Sequence, residues 1–327
     1  SVTNMAVSVA SDFKIYQEQV ASSLTETLAQ ATDAVTGGAN GAIVMSTNVM
    51  KGDYMYRSFF QQATAVIRQD ITSVASGTPV KITQTDDINV KLHRSFTYDV
   101  TRKAFKMAGF NPDVFNIVAG QQIGKEIITG MLNDALLAAR VAINNVSAVT
   151  NDVTAAATTS ITSTNLLATL AKFGDASSRI VAWVMHSQQY FDLAKNEISN
   201  QVAPIYEGIL QRVDVPGFNR PIIVTDSTSL ISSSNYFVLG LTEGAIQLID
   251  TEPTDIVIDD VTGLKQLVRR YQGEYAFNLG LKGYQYDVSN GGSNPDATAL
   301  GTGSNWDANT TSIKDSAGVV LKCLAAA

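Results

Sequence analysis

Between residues 118 and 145, apolar side chains recur every three or four positions with no proline to interrupt them. Ile128, Leu132, Ala135, Ala139 and Ile143 form one stripe; Gln122, Glu126, Thr129, Asn133, Arg140 and Asn144 form the opposite face. That spacing predicts an amphipathic helix, approached at Pro112. At 1.5 Å per residue it would run roughly 40 Å, long enough to be a spine for the other elements. Leu137 interrupts the polar face, as a side chain at a subunit contact would, although single exposed leucines are also common on monomers.

Upstream, residues 1–50 read as an arm. Phe13, Tyr16, Val20, Leu24, Leu28, Ala31 and Val35 mark one helical stripe, which Gly37, Gly38 and Gly41 end. A lone helix of this kind needs its own body or a neighbour to pack on. From Gly52 to Val100 the pattern becomes strand-like. Ile88, Val90 and Leu92 alternate with Asn89, Lys91 and His93, the period of two of a strand. Ser76, Gly77, Thr78 and Pro79, and the polar cluster at residues 84–87, read as turns. The segment is expected to be an extended hairpin, lying on another subunit or on its own body because a long hairpin is marginal alone.

Downstream, residues 145–165 are mostly Asn, Ser, Thr and Ala, a composition that reads as a linker and a domain boundary. A second lobe then mixes strands and helices. Residues 180–185 are a near-continuous apolar run, as in a strand buried on both faces; His186 and Ser187 begin a helix, with Ser187 as its cap. Residues 221–225, 236–240, 267–271 and 275–279 read as further strands, 290–309 as a surface loop and 319–321 as a terminal strand. Strands near 264–288 are placed to return to the first lobe.

Composition bears on what such a chain does. Of 327 residues, 45% are hydrophobic and only 16% charged, against roughly 25% charged in ordinary soluble domains. Uncharged polar surface is easier to bury against a partner than charge, so either an acidic cytosolic protein or a subunit buried in an assembly fits. The net charge of −7, from 30 acidic and 23 basic residues, argues against sequence-specific nucleic-acid binding. It does not argue against enclosing DNA. No run approaches the roughly 20 apolar residues of a membrane span, and no signal-peptide pattern opens the chain. The single cysteine, Cys323, forms no intrachain disulfide, so folding in a cytoplasm is expected. A start at Ser1 is what removal of an initiator methionine, or proteolytic maturation, would leave.

A search for chemistry finds no catalytic, cofactor-binding or metal site. The two histidines, His93 and His186, have no metal-ligand spacing around them. Ser187 lacks a nucleophile elbow, and Cys323 lies near the terminus with no obvious scaffold. The pairs Asp86-Asp87 and Asp259-Asp260 would diverge in a strand. Gly37-Gly38 and Gly301-Thr302-Gly303 lack the strand-before, helix-after setting of a phosphate loop. Arg269-Arg270 would either meet carboxylates of a neighbouring subunit or lie on a solvated strand edge. A site built from scattered carboxylates would leave no motif.

The order of elements is arm, extended hairpin, long helix, linker, mixed lobe and returning strands. Residues 178–193, 220–226, 236–240, 270–275 and the ending from Asn305 and Trp306 to Lys322 also carry the pattern of one branch of a family. Together they resemble the Hong Kong 97-like major capsid proteins of tailed double-stranded DNA phages. The resemblance implies an α+β fold with an N-arm at 1–50, an E-loop hairpin at 51–100 and a peripheral domain with a spine helix at 101–145. An axial domain would span 146–255, with return strands of the peripheral domain and a C-terminal segment at 256–327. It further implies a structural, non-enzymatic subunit of the virion, assembled in the host bacterial cytoplasm into hexamers and pentamers of an icosahedral shell around DNA. Partners would be a portal and a scaffolding protein, the latter separate or already removed as an N-terminal segment, with room for a decoration protein; no cofactor and no membrane is involved. The alternatives are a bacterial nanocompartment shell of the same fold, a tail-tube or sheath protein, or a motif-poor cytosolic enzyme.

Overall fold

A computed structural model of the chain describes residues 22–24, 26, 37–49, 51–60, 71–72, 79–82, 84–103, 112–200 and 220–326. Of the expected arm helix, only residues 22–24 and 26 fall within it, all helical, and Leu24 is buried in the chain's own core. Phe13, Tyr16, Val20, Leu28, Ala31 and Val35 lie outside the described residues.

The long helix, α1, spans Pro112–Asn144, six residues earlier than the periodicity predicts and roughly 50 Å long at 1.5 Å per residue. Its expected apolar stripe is buried, apart from the half-buried Leu132, but burial extends further. From Ala135 onward Leu136, Ala138, Arg140 and Ala142 are buried as well. The cause is that α1 touches strands of both sheets of the protein, so little of its later turns faces solvent. Four alanines there (135, 138, 139 and 142), all fully buried, keep the helix thin where it is enclosed. Leu137 does not wait for a subunit contact: it packs against the core, and its Cδ1 faces Gly301 of the same chain.

Among the described residues the strands form one sheet of seven and one of six. The first joins β1 (Ile43–Thr47), β9 (Ile246–Val261), β10 (Val268–Leu281), β11 (Tyr284–Tyr286) and β12 (Trp306–Ala308), with β3 (Gln84–Thr101) on β10 and β2 (Tyr54–Phe60) on β3. The second runs β4 (Thr150–Asp152), β13 (Gly318–Leu324), β8 (Asn235–Thr242), β5 (Ile180–His186), β6 (Ile222–Thr225), with β7 (Ile231–Ser232) on β8. β5 is buried as its apolar run predicts, flanked by antiparallel β8 and parallel β6.

The sheets meet where the chain leaves β8 and enters β9. The Thr242 N–H donates to Ala317, that of Gly244 to Gly41, that of Ile246 to Ala42 and that of Lys282 to Ala245. Thr242 Oγ1, fully buried, donates to the Ser316 and Ala317 carbonyls at 3.1 and 3.2 Å. The change of sheet falls near residue 243, because β9 from its first residue pairs with β1 and β10. The terminal strand β13 belongs to the second sheet.

Three segments read as loop or turn are integrated instead. Residues 84–87 are the start of β3, paired with β2 from Phe60 to Arg57. The stretch 145–165 supplies β4, parallel to β13, and buries Val149, Val153 and Ile161. Its Thr162 caps the helix α2 (Ser163–Ala171) by accepting from the Asn165 N–H at 3.1 Å. The stretch 290–309 contains a short helix at Ala297–Leu300 and strand β12, and it buries Leu300, Asn305 and Trp306. Trp306 Nε1 donates to the Leu300 carbonyl at 3.1 Å, and its ring meets Tyr286 edge-on. Composition suggested solvent in these places; cross-strand pairing with distant residues overrides it.

Gly240, in the middle of β8, shows how closely the second core is fitted. A Cβ there would lie 2.9 Å from both the Trp183 ring and Val319 Cγ2, and Trp183 is fully buried. Replacing Gly240 with alanine is expected to cost about 1–3 kcal/mol, as overpacking of a filled core does. Urea unfolding followed by tryptophan fluorescence should show a lower midpoint with an unchanged slope.

Candidate functional site

The residues singled out for chemistry are dispersed. His93 is exposed on β3, with Nε2 3.6 Å from Asp53 Oδ1. His186 ends β5, and its ring, against Tyr236, accepts from the Gln188 backbone N–H through Nδ1 at 3.1 Å. The side-chain acceptor at the start of the following helix, α3 (Ser187–Asn200), is therefore His186 rather than Ser187, which is the first helical residue. Asp86 and Asp87 lie within β3. Gly37 and Gly38 close a helical turn, and Gly303 accepts from Asn145 Nδ2 at 3.2 Å. Among the described residues no three His, Cys, Asp or Glu side chains gather as metal ligands, and no helix is long and apolar enough to cross a membrane.

Cys323 has a scaffold after all. β13 carries it into the second core, fully buried, with Sγ donating to Gln189 Oε1 at 3.1 Å. Burial, and secondarily the nearby Asp192 carboxylate, push the thiol up to about 12. Such a thiol is inert, since the thiolate is the reactive form. Asp192, itself buried, accepts from Gln188 Nε2 and from the Ala326 backbone N–H at 2.9 Å, which fastens the end of the chain to α3.

The arginine pair is spent within the chain. Arg270 holds Asp99 with two parallel hydrogen bonds of 2.7 and 2.8 Å. Arg269 Nε lies 3.3 Å from Asp260, whose other oxygen pairs with Arg102. These links cross β3, β10 and β9, whose registers place Arg270 opposite both Asp99 and Asp259. The three strands thereby form a ribbon laced by opposite charges, each exposed pair contributing little by itself. The Arg270 guanidinium beside Asp99 holds that carboxyl below the usual range.

What this ribbon and the hairpin beside it offer is surface. β3, 18 residues long, spans roughly 60 Å at about 3.3 Å per residue. Its first half pairs with β2 and its second with β10, the two partners meeting at Val90. On the hairpin Tyr56 of β2 is 63% exposed, and Ile82, just before β3, 68%; Val257 of β9 and, between β9 and β10, Leu264 and Leu267 are exposed, Leu267 by 64%. On the second lobe Phe191 of α3 is 66% exposed. Large apolar side chains grouped on projecting elements mark surfaces for partners. Tyr56, Val257 and Leu267 were not legible as contacts, since alternation along a strand does not say which face stays uncovered.

A sequence model of the Gp13-like family, described as major capsid protein 13-like, matches residues 12–320. The chain belongs to this family of major capsid proteins. It is a structural subunit of a multi-subunit capsid shell, its place is the virion, and it is not an enzyme. Solved structures agree in fold. The capsid of Myoviridae phage XM1 is similar over 87% of this chain and 90% of its own, with 12% identity and a TM-score of 0.52. The capsid of Ralstonia phage GP4 is similar over 88% of each chain, with 11% identity and a TM-score of 0.52. A chain from Mycobacterium phage Adephagia is similar over 88% and 89%, again with 11% identity and 0.52. Comparison with curated protein sequences gives no match. The α+β architecture of this capsid protein is thus that of phage capsid subunits.

Two outcomes follow for the buried groups of this capsid subunit. Cys323 is expected to resist a disulfide thiol reagent at pH 8 in the native protein and to react fully in denaturant; rapid native labelling would contradict its burial. Asp250 of β9 lies opposite Thr47 and Phe277, and burial raises its carboxyl above the ordinary 3.8, the Glu252 backbone N–H offsetting this in part. A raised folded value means that the protonated form is favoured by folding, so its contribution is complete below 3.8 and lost as pH rises through the folded value. Asp250→Asn is therefore expected to raise the melting temperature at pH 7, with the gap to wild type closing towards pH 4. A gap that widens on acidification would be the opposite sign.

Proposed function

We propose that this chain is the major subunit of a tailed-phage head, arranged as hexamers and pentamers of an icosahedral lattice around double-stranded DNA. In this reading residues 1–50 are an N-arm and 51–100 the E-loop. Residues 101–145 belong to a peripheral domain with α1 as its spine, and 146–255 mostly to an axial domain near capsomer centres. Residues 256–327 supply return strands of the peripheral domain and a C-terminal segment. The observation that carries the reading is the β2–β3 hairpin, whose exposed Tyr56 and Ile82 suit a neighbour lying across it. A two-stranded hairpin is marginal alone, so ordering it against a neighbour couples folding to assembly. Each contact is modest, and a closed lattice gains by making many at once.

The acidic balance, 30 carboxylates against 23 cations, suits a container that encloses DNA without gripping it. A portal and a scaffolding protein are the partners such a head needs, and a decoration protein is compatible with it.

The arm supplies the test. Leu24 sits in the chain's own core, so a deletion that includes it would confound assembly with folding. Removing residues 1–20 is expected to leave a folded, soluble chain that forms no closed shells, even with scaffolding protein supplied. Extending the deletion to residue 36 should add a stability loss of about 2–4 kcal/mol, as emptying a buried leucine site does. Negative-stain electron microscopy and circular dichroism read the two effects separately. Normal closed particles from the shorter deletion would remove the arm from the assembly mechanism.

A further inference from the structure

The later turns of α1 hold a cation that no ion pair among the described residues neutralises. Arg140 is only 8% exposed. Its Nη1 donates to the Ile231 carbonyl at 2.6 Å, and its guanidinium carbon lies 5.2 Å from the centre of the Phe237 ring. Among the described residues, the ion pairs join other side chains and none reaches Arg140. A guanidinium has five N–H donors in a planar fork, and the Ile231 carbonyl accepts one. Arg140 lines an open cleft of about 370 Å³, together with Asn144, Asn145, Ser232, Phe237 and Gly303. Besides the Phe237 ring and Val141, the walls are amides, a hydroxyl and glycine backbone, with no carboxylate among them. Burial alone pulls the guanidinium down from its usual value, the direction expected of a buried cation without a counter-ion.

A buried charge is kept where something pairs with it. The cleft is open, polar and cationic at its base, which is complementary to a planar carboxylate held two-pronged by the guanidinium. Each copy of this chain has seven more carboxylates than cations, 30 against 23, and a shell brings copies edge to edge. We propose that the cleft receives a carboxylate side chain from a neighbouring copy of this chain, bound to Arg140, in the assembled capsid. The subunit alone then keeps an unpaired cation, and assembly supplies the missing charge. This rests on shell formation, which the wild-type chain monitors in every experiment.

Asn144 lies one helical turn beyond Arg140 and lines the same cleft, so Asn144→Asp places a carboxylate within reach in the same chain. The expected result is a subunit with a higher melting temperature than wild type and a closed-particle yield at least about tenfold lower. Tenfold is the change that 1.4 kcal/mol in a single contact produces. Asn144→Gln, which adds no charge, should assemble as wild type does. Ser232→Asp enters from the opposite wall and should repeat the effect, which guards against a folding defect peculiar to one site. Wild-type particle yield from both aspartate variants would overturn the proposal. So would stabilisation of the isolated wild-type subunit by inorganic phosphate that Asn144→Asp abolishes while particle yield is unchanged, since the site would then hold a small anion.

Discussion

One helix touching both sheets is the constraint on which the rest of this subunit depends. A helix on the surface of a domain needs one apolar stripe; α1, from Ala135 onward, has little face left for solvent. Helix and sheets approach closely there because the enclosed positions 135, 138, 139 and 142 are alanines, and a larger side chain at any of them would push the layers apart. Through this arrangement the buried residues of both sheets join a single contiguous core. The hydrogen bonds from Gly244 to Gly41, Ile246 to Ala42, Thr242 to Ala317 and Lys282 to Ala245 then lock the crossing from one sheet to the other.

From that centre the first sheet extends outward along β3, β10 and β9. These strands bury Ile256, Val268 and Tyr271, and cross-strand ion pairs lie alongside them. Lys91, 3% exposed, pairs with Glu252 where the ribbon leaves the core, and Arg270–Asp99 and Arg102–Asp260 lie further out. In a chain with few charges, these residues serve the subunit's own strand register more than its partners. Apart from these pairs the same strands expose Tyr56 and Val257, and uncharged side chains are the less costly ones to desolvate when copies come together.

Several local readings failed for one shared reason. Residues 145–165 and 290–309 are small and polar, yet each supplies a strand whose partner lies outside the segment: β4 on β13 and β12 on β11. Leu137 looked like an exposed contact until the 297–303 segment folded over it. Cys323, near the end of the chain, lies in the middle of a sheet because β13 is inserted between β4 and β8. Composition within a window reports what a segment prefers by itself, and strand insertion is decided by residues outside that window.

By itself the sequence determined the long amphipathic helix, the buried strand at Ile180–His186, the alternating strand at 88–93 and the absence of any recognisable catalytic motif. These rest on periodicities that side chains impose on their own backbone. The order of those elements also carried the capsid-like resemblance with which the family match agrees. Only the tertiary structure decided that Arg269 and Arg270 are spent internally, where the sheets exchange the chain, and that Arg140 is buried with no ion pair reaching it among the described residues. The physical reason is that burial and pairing are relations between residues distant in sequence, and no window along the chain contains both members.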